Sequence, residues 1–173
     1  FFAGDLAFWH LSIFNTSMAN ATLFSCLAPV WVLLLSRLVL NEEVTRAMFA
    51  GVGLCLLGAM VLMGGGLVAS PENLNGDLYG VVTSFFFGLY FLAMRFARRD
   101  GEKGAATITY QSTTITAAIL LMVALCSGES FVPTTLSGAL ALLSLGIISH
   151  AGGQGFLSVA IGSLSAAFSS LVI

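Results

Sequence analysis

Two side chains capable of chemistry sit where charge is costly. Asp5 and His150 each interrupt a long apolar run. At membrane depth a carboxylate and an imidazole can bind a solute or exchange a proton. Trp9 follows Asp5 by four residues and Gln154 follows His150 by four, so on helices each pair shares a face. Tyr90 and Gln111 are further polar candidates within apolar runs. Asp5, Trp9, Tyr90, Gln111, His150 and Gln154 are therefore read as the lining of a substrate- or proton-binding cavity. The plainer reading of Asp5 and His150 is a fixed interhelical hydrogen bond. His10 is read as satisfying a helix contact, with Asn15 and Asn20 near the outer surface. Tyr110 and the threonines at 107, 109, 113, 114 and 116 make one run rich in hydroxyls. Those hydroxyls are expected to bond back to their own helix carbonyls. Arg95 falls near a run end and is expected to snorkel outward.

Other chemistries lack their residues. Cys26, Cys55 and Cys126 lie in apolar runs without metal-ligand or redox spacing, so they are read as small apolar filler. An intramembrane enzyme would need a nucleophile–base pair, and Ser149 and Ser158 lie near His150. The sequence holds no GxSxG or HExxH motif, and no second histidine at useful spacing from His150. Neither a cofactor nor a metal is expected. A structural subunit without a cavity remains the other alternative.

The elements that must hold these residues follow from composition. Of 173 residues 58% are hydrophobic and 8% charged, with a mean hydropathy of +1.00. A soluble domain carries roughly 25% charge. Lipid is the solvent that fits, and the net charge of −2 without a broad basic patch argues against nucleic acid. Apolar runs cover about 1–14, 20–40, 47–69, 77–97, 105–126, 136–160 and 164–173. The complete runs are near the ~20 residues that cross the hydrocarbon as a helix. Lipid cannot satisfy free backbone groups, so the fold class is all-α integral membrane, a polytopic helix bundle. Phe1 and Ile173 lie inside apolar runs, so the chain is expected to be a stretch of a longer protein.

Charge gives the orientation. Arg37, Arg46, Arg95, Arg98, Arg99 and Lys103 cluster at two breaks only. The positive-inside rule places 41–45 and 98–104 in the cytoplasm, together with the break at Gly162–Ser163. The breaks around Asn15, Pro71 and Glu129 then lie outside. Gly76, Gly80, Ser84 and Gly88 make a small-residue stripe that lets a neighbouring helix approach closely. Pro29 predicts a kink, and Gly64–Gly66 a frayed outer helix end. A shift of 146 lays residues 4–25 on 150–171, with Leu11, Ser12, Ser17 and Ala21 meeting identical residues. Asp5 then falls on Ala151 and His150 on Gly4. The shift spans five helices, so the copies point opposite ways, an inverted repeat. From the breaks at Asn15 and Gly162, Asp5 and His150 lie about 15 and 18 Å deep, near the midplane.

The stretch Asn15-Thr-Ser-Met-Ala-Asn-Ala-Thr-Leu-Phe-Ser-Cys-Leu-Ala-Pro29 resembles the third-to-fourth helix hairpin of EamA-type proteins, of the drug/metabolite transporter superfamily. Val39-Leu-Asn-Glu-Glu-Val-Thr-Arg46 is similar to that family's helix end and basic loop, with Asn41 where Gly is usual. Gln154-Gly-Phe-Leu-Ser-Val-Ala-Ile-Gly-Ser-Leu-Ser-Ala-Ala-Phe168 resembles the equivalent hairpin of the second half. The resemblance implies ten helices in two inverted five-helix repeats with cytoplasmic termini, of which this chain holds the third to the ninth. It implies residues 1–69 as the end of the first repeat, 70–76 as an extracytoplasmic linker and 77–173 as most of the second. It further implies a secondary transporter, exporter or permease, of small metabolites such as amino acids or their derivatives. Its expected partners are the lipid bilayer and a small-molecule substrate, in the plasma membrane, first of all the bacterial inner membrane. A homodimer is left open. No Lys or Arg lies deep in a run, which argues against phosphorylated substrates.

Overall fold

The computed structural model describes residues 1–64, 66–67, 70–99, 104–128 and 133–171. The helices are α1 (Phe2–Asn15), α2 (Met18–Ser25), α3 (Ala28–Leu40), α4 (Arg46–Met63), α5 (Leu74–Arg99), α6 (Ala105–Ser127), α7 (Leu136–Ser144), α8 (Gln154–Ser163) and α9 (Ala166–Leu171). A 3-10 turn, Pro71–Asn73, precedes α5, and a π-helical stretch, Leu145–Gly153, joins α7 to α8. Among the described residues, five helical segments are long and apolar enough to cross a membrane: Met18–Leu40, Arg46–Met63, Pro71–Arg98, Ala105–Ser127 and Leu136–Ser163. The outer surface suits lipid: Val61 and Leu62 of α4 are 82% and 86% exposed, which water would penalise. Lys103, Glu129, Gly65 and Ile173 lie outside the described residues.

Local sequence explains where helices start and stop. The Ser17 hydroxyl accepts from the Asn20 amide at 3.0 Å and caps α2. Thr45 caps α4 in the same way at 3.4 Å, and Thr135 caps α7 at 3.1 Å. Replacing Ser17 by alanine should cost about 1 kcal/mol locally. Faster hydrogen exchange at the Asn20 amide would report it, and an unchanged rate would contradict it. Pro29 does more than kink its span. The helix stops at Ser25, turns through Cys26 and Leu27, and restarts with Pro29 in the first turn of α3. There its missing N–H breaks no bond. Asn41 ends α3 in the left-handed conformation (φ 53°). Asn is one of the few residues besides Gly that adopts it, so the departure from Gly is structurally mild. Gly65, within the stretch expected to fray, lies outside the described residues; beside it the amides of Gly66 and Leu67 both bond to the Met63 carbonyl, at 2.7 and 3.1 Å. The expected linker 70–76 holds the 3-10 turn and the first residues of α5.

α5 is the centre of the bundle, packed against α1, α2, α3, α8 and α9. Its small-residue stripe is the reason. A Cβ on Gly76 would run into the Asn15–Thr16 backbone, one on Gly80 into Phe24, and one on Gly88 into Trp31. Ser84 accepts from the Trp31 indole at 2.9 Å. Phe2, Val32, Phe91, Leu92 and Ile161 fill the buried core around this helix.

Polar ties lock the two ends of the bundle. At one end Asp77 Oδ1 accepts from the Thr16 hydroxyl at 2.6 Å and the Asn20 amide group at 3.0 Å. At the other, Arg95 does not reach outward as the sequence suggested. Its Nε donates to Glu42 Oε1 at 2.7 Å, and its Nη1 to the carbonyls of Ile161 (2.8 Å) and Gly162 (3.2 Å). Glu42 Oε2 accepts from the Ala166 amide at 3.0 Å. Hence 41–45 and the α8–α9 turn share one face, and the α1–α2 turn and the start of α5 share the other, as the charge pattern requires.

The two hairpins have matching geometry, with a corrected offset. α1 ends in an extended Thr16 whose amide bonds to Ser12, and Ser17 caps the next helix. α8 ends in an extended Leu164 whose amide bonds to Ala160, and the Ser165 hydroxyl accepts from the Phe168 amide at 3.3 Å. Thr16 thus corresponds to Leu164 and Ser17 to Ser165, an offset of 148 rather than 146. A few identities in small, apolar residues cannot resolve a two-residue slip; cap hydrogen bonds can. The corrected partner of His150 is Phe2, and that of Asp5 is Gly153.

Candidate functional site

The site is built by α1, α5 and the π-helical stretch. α1 projects Phe2, Asp5, Leu6 and Trp9 onto one side, at helical spacing. α5 contributes Thr83 and Phe87. The 136–160 run reads as plain helix in sequence, but the backbone widens through Leu145–Gly153. Gly146, Gly152 and Gly153 lie in this wider turn, and Gly155 just beyond it. Glycine lowers the barrier to such non-α geometry, and π-turns recur at functional positions. Within it Ser149, still exposed, and His150, half-buried, reach the cavity wall.

These elements enclose a cavity of about 600 Å³ lined by Asp5, Trp9, His10, Thr83, Ser149, His150 and Gln154, with Phe2, Phe87 and Leu145 as apolar wall. Four of the six expected residues, Asp5, Trp9, His150 and Gln154, thus face one space. Tyr90 stands behind it: its hydroxyl donates to Gln154 Oε1 at 2.9 Å. Phe2 stacks between Tyr90 (4.6 Å between ring centroids) and His150 (5.3 Å). Gln111 is not brought in; it lies exposed on α6 and is absent from the lining.

Asp5 is 7% exposed. Among the described residues its carboxylate has no side-chain hydrogen bond or ion pair, and none joins it to His150. No fixed bond between Asp5 and His150 is therefore found among the described residues, although His150 has an interhelical bond of its own. His150 Nε2 lies 3.3 Å from the Thr113 hydroxyl, in a hydrogen bond whose direction follows the imidazole tautomer. That takes Thr113 out of the back-bonding expected for its helix. His10 does make the expected helix contact, with Nδ1 2.7 Å from the Leu6 carbonyl, while also reaching the cavity rim. Ser158 donates to the Ala105 carbonyl at 3.3 Å rather than serving His150.

Thr83 and Phe87 are among the lining residues that escape sequence reading. Thr83 is 1% exposed, and its hydroxyl has no partner among the described residues. Phe87 looks like any core aromatic. The available signal was position: Thr83 and Phe87 are one turn apart on α5, offset by one residue from the glycine stripe.

Apolar spans around a partly polar interior cavity define a multi-pass helical membrane protein. Residues 1–64 match the EamA-like transporter family. A protein of Helicobacter pylori (strain J99 / ATCC 700824), described as an uncharacterized transporter, is 29% identical over 109 residues, covering 61% of this chain and 34% of that relative. Its counterpart in strain ATCC 700392 / 26695, described in the same words, is 28% identical over 107 residues, with the same coverage. The match thus spans about a third of the length of these curated relatives. A solved crystal structure, described without a function, superposes with a TM-score of 0.82 at 23% identity, over 99% of this chain and 59% of that one. It shows the fold. Residues 1–64, which hold the first of the hairpin sequences, are thus similar to the EamA-like transporter family.

Proposed function

We propose that this chain forms the central part of a secondary transporter, an exporter or permease, for small metabolites such as amino acids or their derivatives. The observation that carries the reading is Asp5: a buried carboxylate with no side-chain hydrogen bond or ion pair among the described residues, facing a cavity of about 600 Å³ that His150 and Gln154 also line. An unpaired carboxylate in a low-dielectric interior is costly to keep and is retained where it binds a cation or moves a proton. Asp5 and His150 would carry the proton or the substrate ammonium, and Gln154, held by Tyr90, would orient polar substrate groups. The family match and the relatives' description as transporters support this assignment. The one-sided arginines favour an orientation in a bacterial inner membrane with the Glu42–Arg95 end in the cytoplasm.

The test is amino-acid flux by the intact protein in proteoliposomes under an imposed pH gradient. Asp5→Asn keeps the shape of the side chain but abolishes its charge. It should lower pH-driven flux at least tenfold while the protein elutes as a single species in detergent. Wild-type flux from the variant would overturn the assignment.

A further inference from the structure

Phe87 has a position that no other described side chain shares. It lines the cavity of Asp5 and His150, and it also lines two others. One, about 500 Å³, lies toward Cys26, Pro29, Cys55 and Met63. The other, about 470 Å³, lies toward Leu157, Ala160, Leu164 and Phe168. Both are walled mainly by apolar side chains, with Thr22, Ser25 and Ser170 the hydroxyls of the larger and Ser149, Gln154 and Ser169 the polar groups of the smaller. Of the three, only the first is lined by Asp5, His10 and His150. Phe87 therefore stands at the junction between a chamber with titratable groups and two mainly apolar ones.

Its ring is held there by neighbours one turn on. Phe91 meets it edge-on at 5.0 Å between centroids, and Tyr90 lies parallel at 6.3 Å. Phe91 is fully buried, so it cannot follow if the Phe87 ring is lost. Thr83, one turn the other way, also lines the polar chamber, its hydroxyl buried and without a partner among the described residues. One helix face thus presents, in order, Thr83, the Phe87 ring and the fully buried Phe91.

The chamber chemistry suggests what enters. Asp5 offers an acceptor-only carboxylate, and the nearby indole of Trp9 attracts cations. A protonated amine satisfies both. Toward Phe87 its apolar remainder meets a ring backed by two mainly apolar chambers. We propose that Phe87 selects substrates by tail length: the site takes amines with an apolar tail, the ammonium at Asp5 and the tail ending against the Phe87 ring. This rests on the transport reading of the same cavity and adds a substrate class and a selecting residue to it.

Binding of n-alkylamines from ethylamine to octylamine to the intact protein, measured by thermal shift in lipid nanodiscs, tests it. Matched n-alcohols control for partition into lipid. In the wild type each added methylene should tighten amine binding about fourfold, the equivalent of about 0.8 kcal/mol, until a cut-off length. Phe87→Ala should move the cut-off outward by about three carbons, the space of the lost ring, and Phe87→Trp should move it inward. The octylamine-to-ethylamine affinity ratio should rise at least tenfold in Phe87→Ala. Asp5→Asn should erase the preference for amines over alcohols at every length. Should Phe87→Ala not fold, Phe87→Leu reports the same shift in smaller measure. An unmoved cut-off in the Phe87 variants, or amines binding no better than alcohols, overturns the proposal. If Asp5→Asn still abolishes pH-driven flux in that case, the transport reading stands without it. If amines show the cut-off while no flux is seen, the selector holds and transport fails.

Discussion

Arg95→Ala should destabilise the folded protein by about 2–4 kcal/mol. The guanidinium bonds to Glu42 Oε1 at 2.7 Å and to the carbonyls of Ile161 and Gly162. Its removal leaves Glu42 without its cation and two carbonyls at the end of α8 without donors. A fully buried pair broken on one side costs about 3–5 kcal/mol, and an exposed one about 0–1. The side chains of Arg95 and Glu42 are 22% and 16% exposed, so the expected loss falls between these limits, nearer the buried one. Glu42 also accepts from the Ala166 amide, so the loss spreads to the start of α9. The double variant Glu42→Ala, Arg95→Ala should lose less than the sum of the single losses, by about 1–2 kcal/mol. Arg95→Lys should recover part of the charge term but not the fork that reaches both α8 carbonyls. Chemical unfolding in detergent measures wild type, the two single alanine variants, the double variant and Arg95→Lys. An Arg95→Ala variant within about 0.5 kcal/mol of wild type would show that the clasp contributes little.

Gly76→Ala should be nearly as damaging, by about 2–3 kcal/mol, for the opposite reason: one atom too many. The added Cβ has no space, because the Asn15 and Thr16 backbone already occupies it. Side chains can rotate away from a clash, whereas this backbone is pinned. Thr16 and Asn20 both donate to Asp77, and the Ser12 hydroxyl donates to the Gly76 carbonyl at 2.7 Å. Relief requires the α1–α2 turn to move off α5 and to lose some of these bonds. Gly53→Ala is the control. Nothing lies within 4 Å of its Cβ position, so alanine there should fall within about 1 kcal/mol of wild type, on the stabilising side. Equal losses at both positions would mean that the stripe is not a close helix contact.

Much of the architecture was legible because lipid imposes it. A backbone that cannot bond to solvent must be helical, so apolar runs mark helices and polar breaks mark turns. The same logic located the small-residue stripe on α5 and the break at Pro29. The candidate site was legible in part. Asp5, Trp9, His150 and Gln154 stand out because polar groups are rare in such runs and helical spacing pairs them. Gln111 met the same test and faces away, since a hydrophilic residue inside a run does not say which side of its helix looks inward.

What remained hidden depends on contacts between segments far apart in the chain. The π-helical widening at Leu145–Gly153 changes which residues face inward without changing hydropathy. The offset of 148 between the hairpins is written in cap hydrogen bonds, not in residue identities. Arg95 finds Glu42 only because α5 passes the end of α3, some 53 residues away along the chain. Phe87 becomes a junction only when three cavities form around it. Hydropathy and charge are properties of each segment against its solvent, so they dictate spans and sidedness alone. Which polar groups meet, and which ring divides the space between them, is a property of pairs of helices, and only their packing decides it.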